Sequence, residues 1–136
     1  VLDIGCGYGY SAAVAAYLGE AVVAVEEVPD FAKEAEARLA AEGAHNAVVV
    51  EAPLAEGAAK HGPYEVILIE GGIERLPDGF EGQLAEGGRI LCLFMDGPLG
   101  VARMGMKIDG RLVWRFLFNG GAPVLPGFEA ARAFSL

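Results

Sequence analysis

The sequence predicts an α/β fold: a three-layer sandwich around a mostly parallel seven-stranded sheet that ends in an antiparallel hairpin. Three observations lead there. Short β-branched runs alternate with Ala/Glu/Leu-rich stretches over the first two thirds of the chain, which is the pattern of βαβ units. The runs AVVAV and VILI are almost unbroken apolar, as strands buried on both faces are. The last third carries no helix signal and alternates with period two on both sides of Asp109–Gly110, as a hairpin does.

Taken in order, VLDIG is the first strand. SAAVAAYLG is a short helix with Ser11 as N-cap and Gly19 as its stop. AVVAVE is the second strand. PDFAKEAEARLAAEG is the clearest helix: Phe31, Ala35 and Leu39 share a face, Glu34 and Arg38 stand at i,i+4, and Gly43 closes it. AVVV is a third strand, followed by a weak helix around LAEGAAK. YEVILIE is a fourth strand, a loop and weak helix run through LPDGFEGQLAE, and GGRILCLFM is the fifth strand. In the hairpin the even positions are Met104, Met106, Ile108, Leu112, Trp114, Phe116 and Phe118, and the odd ones include Arg103, Lys107, Arg111 and Arg115. Opposed residues share a face, so keeping apolar against apolar predicts a three-residue loop of Ile108, Asp109 and Gly110. That register pairs Met106 with Leu112 and Met104 with Trp114. It also sets Lys107 against Arg111 and Arg103 against Arg115, either as an edge protected against aggregation or as a docking face for an acidic partner.

A length of 136 residues fits one domain. The chain begins inside a strand, without Met, and is read as one domain over 1–136 lacking the segment before that strand. With 54% hydrophobic residues it can bury a sizeable core. A net charge of −9 opposes phosphate backbones and anionic membranes, so nucleic acid and membrane are not expected partners. Two cysteines, Cys6 and Cys92, lack metal-ligand spacing and suit a reducing cytoplasm. His45 and His61 fall in polar loops, and no metal site is expected.

Gly5, Gly7 and Gly9 lie between the first strand and the first helix. Glycine there lets the backbone turn sharply and a ligand approach with no Cβ in the way. A dinucleotide loop, G-x-G-x-x-G, would need its last glycine at position 10, which is Tyr10. The spacing present is G-x-G-x-G with Asp3 two residues before it. Glu26 ends the second strand, 17 residues after Gly9, where a carboxylate accepts hydrogen bonds from both ribose hydroxyls.

The glycine spacing resembles the S-adenosylmethionine loop of Rossmann-like methyltransferases. The segments VLDIGCGYGYSAAVAAYLG, VVAVEE, PYEVILIEGGIERLP and QLAEGGRILCLF resemble, in order and spacing, the protein-L-isoaspartate O-methyltransferase family over residues 1 to about 95. The resemblance implies a cytoplasmic enzyme that binds S-adenosylmethionine and methylates the free carboxylate of L-isoaspartyl residues in damaged proteins or peptides. It implies that Asp3, Gly5, Cys6, Gly7, Tyr8, Gly9 and Tyr10 form the cofactor loop, with Ser11 at the helix start. Glu26 and Glu27 would stand at the ribose, Ala52, Pro53 and Leu54 at the adenine, and Glu70 at the tip of the fourth strand. A carboxylate with a pKa near 4 is already ionised at neutral pH, so no catalytic base is assigned. The family usually has an Asp-Gly pair where this chain has Pro53–Leu54, and small neutral residues after the fourth strand, where this chain has Glu70, Gly71, Gly72, Ile73 and Glu74. Its substrate-side Ser/Thr segment precedes the first strand. Glu70 has two readings: into the pocket, where it would favour an amine acceptor, or out to solvent as a loop cap. A cofactor-binding or interaction domain without catalysis is the non-enzyme alternative.

Overall fold

The computed structural model describes residues 1–7 and 9–130, and of Tyr10 the backbone alone. The strands are β1 (Leu2–Ile4), β2 (Val22–Glu26), β3 (Ala47–Glu51), β4 (Tyr64–Ile73), β5 (Leu84–Asp96), β6 (Leu99–Ile108) and β7 (Arg111–Gly120). The helices are α1 (Tyr10–Tyr17), α2 (Pro29–Ala41) and a short α3 (Gly79–Gln83). One sheet holds all seven strands in the order β3-β2-β1-β4-β5-β6-β7. The pairs from β3 through to β5 are parallel, and β5-β6 and β6-β7 are antiparallel. This is the fold class expected from the sequence.

Alternation along the parallel strands feeds two cores. Leu2, Ile4, Val25, Ile67, Ile69 and Ile90 point to one face, where Phe80, Leu84 and Phe128 cover them. Phe80 and Phe128 are fully buried, with ring centroids 5.7 Å apart. The other face is built from small residues. Ala12 and Ala16 of α1 meet Val22 and Ala24 of β2 and Ala35 and Leu39 of α2, so both helices lie close on the sheet. That half-layer covers β1–β3. Farther along the same face, Leu68, Leu91, Met104 and Met106 are half-buried.

Several local expectations need correction. The buried face of α2 is Ala32, Ala35 and Leu39, not Phe31, which is 37% exposed; a small side chain at 32 lets α2 seat where a ring would hold it off. The weak helix after β3 is two 3-10 turns, Leu54–Glu56 and Ala59–His61, tied to α3 by Gln83, whose Oε1 accepts from the Ala58 amide and whose Nε2 donates to the Glu56 carbonyl, both at 3.0 Å.

The hairpin loop is two residues, not three. Ile108 pairs with Arg111, Lys107 with Leu112 and Met106 with Val113. Asp109 and Gly110 take φ of 51° and 77°, a primed turn whose twist matches the strands. The parity argument failed because Lys107 is not solvated. It lies on the Leu112–Trp114 face and its ammonium donates to the Glu81 and Leu84 carbonyls, both at 2.9 Å, at the end of α3. The aliphatic stem covers apolar surface while the charge satisfies orphan helix carbonyls. The Glu86 carboxylate caps the turn, accepting from the Asp109 and Gly110 amides. The expected like-charge pairs do not form: Arg103 opposes Phe116 and Arg115 opposes Met104. The register shifts between the Arg103–Phe116 and Ala102–Phe118 pairs, and Phe116 and Phe118 are exposed, each 59% accessible. Trp114 packs edge-on against Phe94 at 5.1 Å.

Gly9 is the N-cap of α1, at φ 85°, and a Cβ there would sit 3.1 Å from Ala35 of α2. Gly43 also has positive φ, at 69°, with nothing within 4 Å of its Cβ position. Urea unfolding should show Gly9→Ala destabilising by about 2–3 kcal/mol, from left-handed strain plus the close approach, and Gly43→Ala by about 1 kcal/mol, from strain alone. Equal losses would mean that the α1–α2 approach is not tight.

Candidate functional site

The C-terminal ends of β1, β2 and β4 converge on the glycine loop. All three loop glycines have positive φ: 78° at Gly5, 54° at Gly7 and 85° at Gly9. The Gly5 and Cys6 amides bond to the Val25 carbonyl at 2.9 and 3.3 Å, which binds the loop's start to β2. The Gly9 amide bonds to the Cys6 carbonyl at 2.9 Å. The Gly9 carbonyl then accepts from Ala13 at 3.0 Å and opens α1. The expected cap, Ser11, is therefore inside the first turn, and its hydroxyl is free for another use.

Two buried carboxylates organise this end of the sheet. Glu26, 5% exposed, accepts the Gly7 amide at 3.0 Å on Oε1 and the Val28 amide at 2.9 Å on Oε2. Each oxygen keeps a lone pair for a further donor. Asp3, 1% exposed, accepts the Ser11 hydroxyl on Oδ2 at 2.8 Å. Its Oδ1 is buried without a hydrogen-bond partner among the described residues.

Glu70 joins them. The β4–β5 register jumps from Leu68↔Leu91 to Gly72↔Leu93, so three residues of β4 oppose one of β5. Such irregularities re-aim side chains. Here Glu70 turns toward α1, with Oε2 2.7 Å from Ser11 Oγ. Glu70 is exposed and also reaches the start of α1, so its carboxylate stands beside the glycine loop. Burial first, and then the hydrogen bond and charge of Glu70, push the Asp3 carboxyl up to about 8, with Ser11 pulling the other way.

The other expected residues divide. Cys6 is buried in the α1–α2 core, its thiol pushed up to about 12 by burial and then by Asp3, Glu26 and Glu70; it is a packing residue and no nucleophile. Glu27 is half-buried beside Glu26. The Ala52 amide bonds to the Glu26 carbonyl at 3.2 Å, which brings this turn to the site. Pro53 is exposed, whereas the Leu54 side chain enters the main core, so only its backbone can border a ligand. Tyr8 lies outside the described residues, as does the Tyr10 side chain.

Sequence reasoning missed the closing wall. The segment 121–128 runs past β4, with the Gly72 amide on the Pro123 carbonyl at 2.8 Å and the Leu125 amide on the Gly72 carbonyl at 2.9 Å. Leu125 lies 3.7 Å from where a Gly5 Cβ would be, and a Cβ on Gly71 would be 2.5 Å from it. The Gly71–Gly72 pair was the available signal for a close backbone approach. Grooves of about 280 Å³ beside Tyr17 and Arg38, and of about 540 Å³ beside Asn46, His61 and Tyr64, lie away from this cluster. A Cβ at Gly7 would meet nothing within 4 Å among the described residues. That open cradle, the lone pairs of Glu26 and the orphaned oxygen of Asp3 fit a ligand bearing hydroxyl donors and a positive charge.

The family model described as protein-L-isoaspartate(D-aspartate) O-methyltransferase matches residues 1–103. The chain belongs to this family. A protein-L-isoaspartate O-methyltransferase of Alkalilimnicola ehrlichii is 39% identical over 102 residues, covering 75% of this chain and 44% of that protein. One from Stenotrophomonas maltophilia is 35% identical over 119 residues, covering 86% and 52%. The chain thus spans about half the length of these relatives. A solved protein-L-isoaspartate O-methyltransferase superposes with a TM-score of 0.86 at 27% identity, over 93% of this chain and 41% of that one. A putative family member from Plasmodium falciparum, solved in complex with S-adenosyl-L-homocysteine, gives 0.73 at 19% identity over 90% and 63%.

The Asp3 carboxyl implies a pH dependence of stability. The folded chain keeps its proton to about pH 8, whereas the unfolded chain releases it near 3.8. The folded state therefore binds more protons through this window, and this group's stabilisation is lost as pH rises from about 4 to about 8, by up to about 1.4 kcal/mol per unit. Asp3→Asn should unfold at higher urea than the parent at pH 8.5, with the gap shrinking by about 2 kcal/mol or more at pH 5.5. A gap that does not change with pH would contradict the buried, protonated Asp3.

Proposed function

We propose that the chain is the S-adenosylmethionine-binding domain of an enzyme that methylates the carboxylate of L-isoaspartyl residues in damaged proteins. The observation that carries this reading is the Glu26 carboxylate clamping the Gly7 amide in a loop of left-handed glycines. Family membership supports the choice of cofactor and acceptor. Glu26 would accept the ribose hydroxyls through its remaining lone pairs, and Glu27 lies beside it. Gly5, Gly7 and Gly9 would let the ligand approach the backbone. The Ala52–Pro53 backbone would border the adenine. The cofactor would supply an electrophilic methyl on a sulfonium.

An acceptor carboxylate is ionised at neutral pH, so positioning carries most of the acceleration and no base is required. The C–O bond forms as the C–S bond breaks, leaving methyl ester and S-adenosylhomocysteine. Cys6 and Cys92, both free and buried, suit a reducing compartment, and we infer the cytoplasm. Among the described residues no helix is long and apolar enough to cross a membrane.

A second reading rests on Glu70. A carboxylate about 4 Å from an anionic acceptor repels it by roughly 4 kcal/mol at an effective dielectric near 20, which favours an amine acceptor if Glu70 faces it.

Calorimetric titration with S-adenosylhomocysteine should give micromolar binding that Glu26→Ala weakens at least about tenfold, the scale of one lost charge-assisted contact. Methyl transfer should then reach an isoaspartyl peptide and not its aspartyl isomer. Absence of binding at millimolar ligand would sink the cofactor reading. Binding with transfer only to an amine-bearing peptide would replace the acceptor.

A further inference from the structure

Ser11 carries one hydroxyl proton, yet its oxygen stands 2.8 Å from Asp3 Oδ2 and 2.7 Å from Glu70 Oε2. Both are hydrogen-bond distances, and two separate linear O–H···O bonds of this length need two protons. Serine supplies one. The second has to reside on a carboxyl. The Ser11 hydroxyl thus links the Asp3 and Glu70 carboxyls. The remaining Asp3 oxygen is buried and has no hydrogen-bond partner among the described residues.

We propose that Asp3, Ser11 and Glu70 together hold one exchangeable proton in the free protein and yield its place to a primary ammonium group of the ligand, so that binding releases a proton to solvent. The inference rests on the cofactor reading above and deepens it: Glu70 becomes a residue that reads the amino-acid end of the ligand. The groups facing the cluster are Glu26 from β2, Glu70 from β4, Ser11 from α1 and Cys6 from the loop. Asp3, Glu26 and Glu70 all act to raise the Cys6 thiol, so the surroundings of the cluster are acidic and favour an added cation. The elevated Asp3 carboxyl agrees, since at neutral pH it holds a proton that an adjacent ammonium would drive off. Once Glu70 is engaged by the ligand's ammonium, it no longer opposes a carboxylate acceptor.

The test is calorimetry at pH 7 in two buffers of different ionisation enthalpy, which counts protons released per ligand bound. The ligands are S-adenosylhomocysteine and 5′-methylthioadenosine, which keeps the nucleoside and lacks the ammonium. Close to one proton should leave per S-adenosylhomocysteine, and close to none per methylthioadenosine. Glu70→Gln should cut the release by more than half. It should weaken S-adenosylhomocysteine about tenfold while leaving methylthioadenosine within about threefold, as expected of one charge-assisted contact. The Glu70 side chain is exposed, so the variant retains the fold. S-adenosylhomocysteine binding without proton release, or equal release with both ligands, would overturn the inference and leave the cofactor reading standing. If neither ligand binds, both fall together.

Discussion

Two carboxylates buried side by side at the ends of adjacent strands are the constraint from which this end of the molecule follows. A buried charge is costly unless it is paired or hydrogen-bonded. Glu26 is satisfied by backbone amides from Gly7 and Val28, and that requirement holds the glycine loop against β2. Asp3 is only half satisfied, by Ser11. The imbalance marks the site. A structure built for stability alone would have placed an apolar residue at position 3, on the small-residue face that α1 and α2 cover.

The surrounding elements serve this arrangement. Close helix packing depends on Ala12, Ala16 and Ala35, and on a glycine at position 9 where α1 touches α2. The opposite core, anchored by Phe80 and Phe128, fixes the segment 121–128. That segment in turn bonds to Gly72 and brings Leu125 up to Gly5 and Gly71. The irregular stretch of β4 frees Glu70 from the ladder to reach Ser11. Sheet, loop and closing segment thus converge on one small polar cluster with an apolar wall.

Much of this was legible in the sequence wherever a residue's role depends on its near neighbours. Loop glycines, strand alternation and a carboxylate 17 residues beyond Gly9 are local signals, and they located β1, β2 and Glu26 correctly. Roles set by distant partners were not legible. Ser11 reads as a cap because serine before an apolar run usually is one, but Gly9 already opens the helix. The direction of Glu70 depends on how three residues of β4 are accommodated against Cys92 of β5. The hairpin register turned on Lys107, whose acceptors, the carbonyls of Glu81 and Leu84, lie 26 and 23 residues away. Alternation treats such a lysine as solvated and so assigns it to the wrong face.

The central claim is that the ligand lies across the ends of β1, β2 and β4, over the glycine loop. Mapping backbone amide chemical shifts by NMR during addition of S-adenosylhomocysteine tests it most directly. The account predicts that the largest changes fall on Gly5, Gly7, Gly9, Val28 and Gly71, with the Gly7 and Val28 amides still hydrogen-bonded to Glu26. Changes concentrated instead around Tyr17 and Arg38, or around Asn46 and His61, would place the ligand in one of the grooves away from the buried carboxylates and contradict the account.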